Sequence, residues 1–190
     1  MFYLIIVFIS AFVIWAVNVA LSLPTTPRDC ATLLFSVVLG AIAIFAIDGI
    51  SALAIRRLTP KRWYSPSNAI FRVSKKERNF YRSIKIKSWK GRVPELGGFT
   101  NFHKDKLKSN SDPEYLERFI TEANYGIVIH LANAIIGALI ALIPFCSSPA
   151  IWIPIFAVNL FLSLLPIAIL RYTLYTLQNL YDRCQKRRST

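Results

Sequence analysis

The chain has 190 residues, a formal net charge of +13 and an apolar fraction of 54%, above the roughly 45–50% of soluble domains. The apolar residues lie in long, nearly uncharged runs and the cations lie between them. That segregation excludes an ordinary soluble domain. The three cysteines show no metal-ligand spacing, and no nucleophile elbow, Walker loop, HExxH or CxxC text is present.

Residues 2–23 contain no charge, and residues 31–55 contain only Asp48. Residues 125–169 contain none beyond His130 and are interrupted between Pro144 and Pro149. A transmembrane helix needs about 20 mostly apolar residues. The pattern therefore predicts an all-α protein, a bundle of four transmembrane helices at about 2–23, 31–55, 119–145 and 150–171. Four regions follow: residues 1–55 with the first two spans, a basic segment 56–112, the last two spans within 113–171, and a basic tail 172–190. Of the 23 lysines and arginines, 17 fall between Arg56 and Arg118 and five from Arg171 onward. The positive-inside rule puts the 56–118 segment and both termini in the cytoplasm of a multi-pass cell-membrane protein. The N-terminal run lacks a basic leader and exceeds a signal-peptide core, so it reads as a span. Cys30 and Cys146 fall in the two outward turns and can pair there, although unpaired thiols are the simpler reading.

In chain order, Pro24 and Pro27 break the first span. A second helix is expected to start near Cys30 with Asp29 as its cap. Trp63 and Tyr64 stand beside cations, a composition suited to the headgroup layer. Ser74 and Glu77 form a capping box, which predicts a short helix to about Ser83. Phe80, Tyr81 and Ile84 share one side of it, as in an amphipathic helix lying on the membrane surface. Gly91, Pro94, Gly97 and Gly98 end regular structure. Asp112 and Pro113 then start a long helix that nothing in the sequence stops before Pro144.

On that helix Glu122, Gly126, His130, Asn133 and Gly137 share one face. Such a stripe of small and polar residues serves helix packing. An ionisable group at membrane depth is in addition a functional candidate, which singles out His130 and Glu122. These two are about 12 Å apart along the axis at 1.5 Å per residue, so a carboxylate orienting His130 has to come from another helix. Asp48 in the second span is the candidate; a packing or snorkelling carboxylate is an equal reading of it. Asn18 and Asn159 read as interhelical glue. His103 reads as a solvated loop side chain. Basic residues interleaved with aromatics can bind nucleic acid. Beside spanning segments they point instead to anionic headgroups or a phosphate-bearing cosubstrate.

Residues 69–131 resemble the glycosyl-4,4'-diaponeurosporenoate acyltransferase family, small integral membrane enzymes that esterify a fatty acyl chain onto the sugar of a glycosylated carotenoid. The resemblance rests on Glu77-Arg-Asn-Phe-Tyr81, on Ile86-Lys-Ser-Trp-Lys90 followed by Pro94, and on the loop from Gly98-Phe99 to Leu107. It continues through Tyr115-Leu-Glu-Arg-Phe-Ile-Thr-Glu122 to His130. Val158-Asn159 and Arg171-Tyr172 are weaker echoes. The chain departs from the family at Ile127, where a glutamate is usual, and at Thr173-Leu174, where Asn-Arg is usual. Either departure points to a different acceptor or to lost chemistry.

The resemblance implies an acyltransferase acting on a hydroxyl of a glycosylated or otherwise polar lipid. His130 would be the base, with Glu122 and Asp48 as the other catalytic candidates. Arg78, Tyr81, Lys87, Trp89, Lys90 and Asn133 would bind substrate, and Arg72, Lys75, Lys76, Lys85 and Arg92 would add charge for the phosphates of acyl-CoA. The expected partners are a membrane lipid and an acyl donor, with no metal, no resident cofactor and no nucleic acid. The residues alone also admit a non-enzymatic membrane scaffold or accessory subunit, or a lipid-binding protein.

Overall fold

A computed structural model describes residues 2–22, 26–93 and 112–189. Among these there are six α-helices and no strand: α1 Phe2–Ser22, α2 Pro27–Leu58, α3 Lys75–Ser83, α4 Ile86–Trp89, α5 Pro113–Ile136 and α6 Pro149–Ser189. Short 3-10 turns join them at Lys61–Tyr64, Ala69–Phe71, Lys90–Arg92, Gly137–Leu142 and Pro144–Cys146. Three stretches, Pro27–Leu58, Pro113–Leu142 and Pro149–Arg188, are long and apolar enough to cross a membrane, and Ile5–Leu21 is a shorter apolar helix.

The helix starts follow local chemistry. The second helix begins earlier than Asp29 as a cap requires. Thr26 is its cap and Pro27 its first residue, because the Asp29 N–H donates to Thr26 Oγ1 (3.3 Å) while Asp29 Oδ2 accepts from the Thr26 N–H (3.2 Å). That reciprocal pair is a capping box with aspartate in the glutamate position, and proline follows the cap. Ser74 Oγ accepts from the Glu77 N–H (3.1 Å) and starts α3, and Asp112 Oδ1 accepts from the Glu114 N–H (3.0 Å) and starts α5. α5 was expected to run unchanged to Pro144. Its α-helical part ends at Ile136 and the path tightens to 3-10 geometry through Leu142. The change falls at Gly137, where a Cβ would land on Asn159 Nδ2. α6 carries on for 41 residues through the positions read as a basic tail.

The chain divides into two compact units. The first comprises Met1–Leu53 and Leu131–Leu164. Its core is aliphatic, with Val37, Ile140, Ile151 and Ile155 buried together. Polar groups tie helix to helix: Asn18 Nδ2 donates to the Ala150 carbonyl (3.0 Å) and the Cys146 thiol to the Ser36 carbonyl (3.3 Å). The Ser51 hydroxyl donates to Asn133 Oδ1, and Asn159 Nδ2 to the Asn133 carbonyl (3.0 Å). Phe8, Phe12, Ile42 and Phe45 point outward. A wholly apolar outer face of this kind is what lipid covers, leaving small residues and amides to hold the helices together. Cys30 and Cys146 are free thiols.

The second unit comprises Ala54–His130 and Leu165–Thr190. Leu116, Phe119, Ile120, Leu174 and Leu177 are almost completely buried in one cluster. Each stabilises the fold by about 1.5–3 kcal/mol relative to an exposed position. Tyr64 was expected in the headgroup layer with Trp63. Only Trp63 is exposed; the Tyr64 ring stacks on Tyr125 at 3.7 Å between centroids. Asn124 Nδ2 holds the Tyr64 carbonyl at 2.8 Å. Burial of an aromatic ring against an aromatic partner outweighs its interfacial preference.

Candidate functional site

The second unit is organised by one face of α6. Arg171, Tyr175, Gln178 and Asp182 follow the i, i+4, i+7, i+11 spacing of a single helical stripe, and they grip the segment 71–78. Arg171 donates from Nε to Glu77 Oε1 (2.7 Å) and from Nη2 to Glu77 Oε2 (2.6 Å). Its Nη1 reaches the Phe71 carbonyl (3.1 Å) and its Nη2 the Arg72 carbonyl (3.3 Å). Gln178 Nε2 donates to the Phe71 carbonyl (2.9 Å) and Gln178 Oε1 accepts from the Val73 N–H (3.1 Å). Arg72 forks onto Asp182 (2.7 and 3.2 Å), and the Arg78 guanidinium lies 4.5 Å over the Tyr175 ring. With side-chain exposures of 16% and 26%, the Arg171–Glu77 pair is the most enclosed of the three ion pairs seen among the described residues. A two-pronged guanidinium–carboxylate bond fixes orientation as well as charge.

Tyr81 is half-buried beside this clasp. Burial, reinforced by the Glu77 carboxylate, raises its phenol above the ordinary tyrosine range, so the hydroxyl stays protonated and able to donate. Tyr81 thus turns away from the exposed face of α3, which is left to Phe80 (60% exposed) and Ile84 (43%).

α3 ends at a sharp corner. Lys85 has a φ of 54°, the left-handed region, which costs a lysine roughly 1–2 kcal/mol. Four bonds hold it: the Lys85 N–H donates to the Arg82 carbonyl (3.0 Å), the Ser88 N–H (2.9 Å) and hydroxyl (2.7 Å) to the Lys85 carbonyl, and the Trp89 indole N–H to the Ile84 carbonyl (3.0 Å). Ile86 is fully buried beneath the corner while Lys85 and Lys87 stand exposed on either side. Arg82, Lys85, Lys87, Ser88 and Tyr172 line a shallow, open concavity of about 400 Å³.

The expected site residues are distributed as follows. Glu122 Oε2 accepts from Arg56 Nη2 (2.9 Å), and the same guanidinium lies 5.3 Å from the Tyr125 ring centre. His130 is half-buried on α5 in the same unit as Glu122. Asp48 belongs to the first unit, where its Oδ1 is buried without a hydrogen-bond partner and its carbonyl accepts from Ser51. Asn133 also lies in the first unit, occupied by Ser51 and Asn159. Lys87 and Lys90 are exposed and Trp89 is half-buried. Residues 94–111, with the Pro94–Phe99 motif and His103, lie outside the described residues. No group of three or more metal-ligating side chains occurs among the described residues.

Of the departures at Ile127 and Thr173-Leu174, Ile127 and Leu174 fall in one place. Ile127 (8% exposed) and Leu174 (0%) belong to the same buried cluster. An apolar residue at each is mutually consistent there, because neither leaves a charge unpaired. The stripe that Arg171 forms with Gln178 and Asp182 shows in the sequence only as helical spacing, with no motif to mark it.

The long apolar helices place the molecule in the class of helical membrane proteins. The family model described as glycosyl-4,4'-diaponeurosporenoate acyltransferase matches residues 60–183. The chain belongs to that family, and so to a group of acyltransferases of carotenoid-related metabolism. No curated protein matches the chain, and no solved structure does.

Proposed function

We propose that the chain is a polytopic acyltransferase that moves a fatty acyl group onto a hydroxyl of a glycosylated or otherwise polar membrane lipid, a carotenoid glycoside being one such acceptor. The observation that carries the reading is the family match over residues 60–183, which takes in Glu77, Glu122, His130 and Arg171, all four held in one unit. His130 takes the hydroxyl proton as the acyl group is transferred, because an imidazole pKa lies near working pH. Glu122, held by Arg56, positions the acceptor hydroxyl, and Asp48 is the second carboxylate candidate. Tyr81, Arg78 and Trp89 shape the approach of substrate, and Asn133 braces the stripe below His130. The acyl donor is a cosubstrate, and no resident cofactor is needed for the transfer.

In the same reading four helices span the cell membrane. The basic segment 56–112 and both termini face the cytoplasm, and the exposed face of α3 lies at the lipid surface.

Lipid profiling of cells with and without the gene identifies the acylated product. His130→Ala should then lower its formation on the order of 10²–10⁴-fold, the usual worth of a positioned base, with the protein still inserted and folded. An unchanged product with His130→Ala would remove His130 from the mechanism.

A further inference from the structure

We propose that Arg56, seated against the Tyr64–Tyr125 ring stack, is a positioning residue of the acyl transfer and acts through Glu122. The inference rests on the acyltransferase reading and supplies the groups that orient one of its carboxylates.

Arg56 stands in the last turn of α2. Its Nη2 donates to Glu122 Oε2 at 2.9 Å, and its guanidinium lies 5.3 Å from the centre of the Tyr125 ring. A guanidinium held by both a carboxylate and a ring face has little freedom left. The ring is itself fixed. Tyr125 stacks on Tyr64 at 3.7 Å with 21° between the planes, and both residues are buried. The Thr59 hydroxyl donates to the Ile55 carbonyl, so the Tyr64 phenol is the donor in its 2.8 Å bond to Thr59. Asn124 Nδ2, on α5, holds the Tyr64 carbonyl at 2.8 Å. The links run from the end of α2 through the 59–64 turn to α5, and their one anionic end is Glu122.

The other two ion pairs among the described residues do something different. Arg72–Asp182 and Arg171–Glu77 fasten segment 71–78 to α6. The Arg56 pair has its carboxylate on α5, the helix that carries His130. That carboxylate side chain is the most enclosed of the three, 17% exposed against 41% for Asp182 and 26% for Glu77. Glu122, Gly126 and His130 follow i, i+4, i+8 spacing on one helix face. Seated in this way, the Glu122 carboxylate keeps one direction and holds the acceptor hydroxyl whose proton His130 takes. A misplacement of about 1 Å in such a seat costs on the order of 10²-fold in rate. A residue that does no more than seat Glu122 therefore has a measurable effect on transfer.

The experiment expresses the full chain in cells lacking the gene. It measures the gene-dependent acylated lipid per inserted protein, alongside the unfolding temperature in detergent. Arg56→Gln should lower the product about tenfold to hundredfold. Arg56→Lys keeps the charge but loses the planar fork and its stacking, and should recover part of that loss. Arg56→Gln combined with Glu122→Gln strands no charge, so the comparison stands even where Arg56→Gln alone fails to fold. The double variant should make as much product as Glu122→Gln alone, because two residues acting as one unit are not additive. Full product from either Arg56→Gln or Glu122→Gln overturns the assignment. So does a further, multiplicative loss in the double variant. A loss matched by a lowered unfolding temperature, with no recovery by lysine, overturns it too and marks a purely structural contact. Product that depends on His130 and not on Arg56 sinks the positioning role alone. No gene-dependent acylated lipid at all sinks the enzyme reading, and this role with it.

Discussion

The two units solve the same problem with different chemistry. In the first, helices meet through aliphatic side chains, a glycine and amides bonded to carbonyls. In the second, an aliphatic cluster is overlaid by guanidinium–carboxylate forks and stacked aromatic rings. Hydrocarbon offers no water to a stray charge, so a spanning unit does best with neutral hydrogen bonds and close approach. A forked charged pair, where it can be kept solvated or paired, gives orientation that packing alone does not. The lesson is that residues of the family match on either side of α5, Glu77 and Arg171, were joined by a bond that neither motif announces.

That contrast can be broken at several points. The largest effect is expected where a charge is forced into the second unit's apolar cluster. Ile127→Glu should cost about 3–5 kcal/mol as an uncompensated buried carboxylate, read as a lowered unfolding temperature in detergent. Adding Leu174→Arg should recover part of that loss. A double variant no more stable than Ile127→Glu would show that the two positions do not share an environment. Next comes the clasp: Glu77→Ala strands the Arg171 guanidinium and should cost about 2 kcal/mol, with a further loosening of segment 71–78 visible in hydrogen exchange. High salt should not mimic it, because a half-enclosed pair is little screened.

In the first unit, Gly137→Ala sets a methyl group on Asn159 Nδ2 and 3.2 Å from its Cγ. The amide must swing away and release the Asn133 carbonyl, at a cost of about 1–3 kcal/mol. Since no charge is involved, the change should be the same at pH 6 and pH 9; a pH-dependent loss would refute the division drawn between the units. The smallest effect is expected at Tyr81. Its phenol is raised in the fold, so the neutral form contributes stability below the ordinary tyrosine pKa of about 10. That contribution is lost as pH rises through the raised value. Tyr81→Phe should flatten the alkaline loss of stability and leave neutral-pH stability within about 1 kcal/mol, as measured by thermal melts across pH 8–11.

Much of this was legible along the chain. Uncharged runs of spanning length, the capping residues Ser74 and Asp112, and the crowding of cations between Arg56 and Arg118 determine an all-helical membrane protein with a basic portion. These are local properties: hydropathy, cap chemistry and charge depend on neighbours within one or two turns. The early start of α2 was also local and was misread only because Thr26 and Asp29 exchange roles within the same box. What tertiary structure alone decided is which polar side chains meet. Arg171 and Glu77 are 94 residues apart, Arg56 and Glu122 are 66, and Ser51 and Asn133 are 82. Nothing in a helical period ranks one distant carboxylate above another. The choice is made when burial of Leu116, Phe119, Leu174 and Leu177 sets the register of α5 and α6, and the charged groups on those helices take the partners that this register brings within reach.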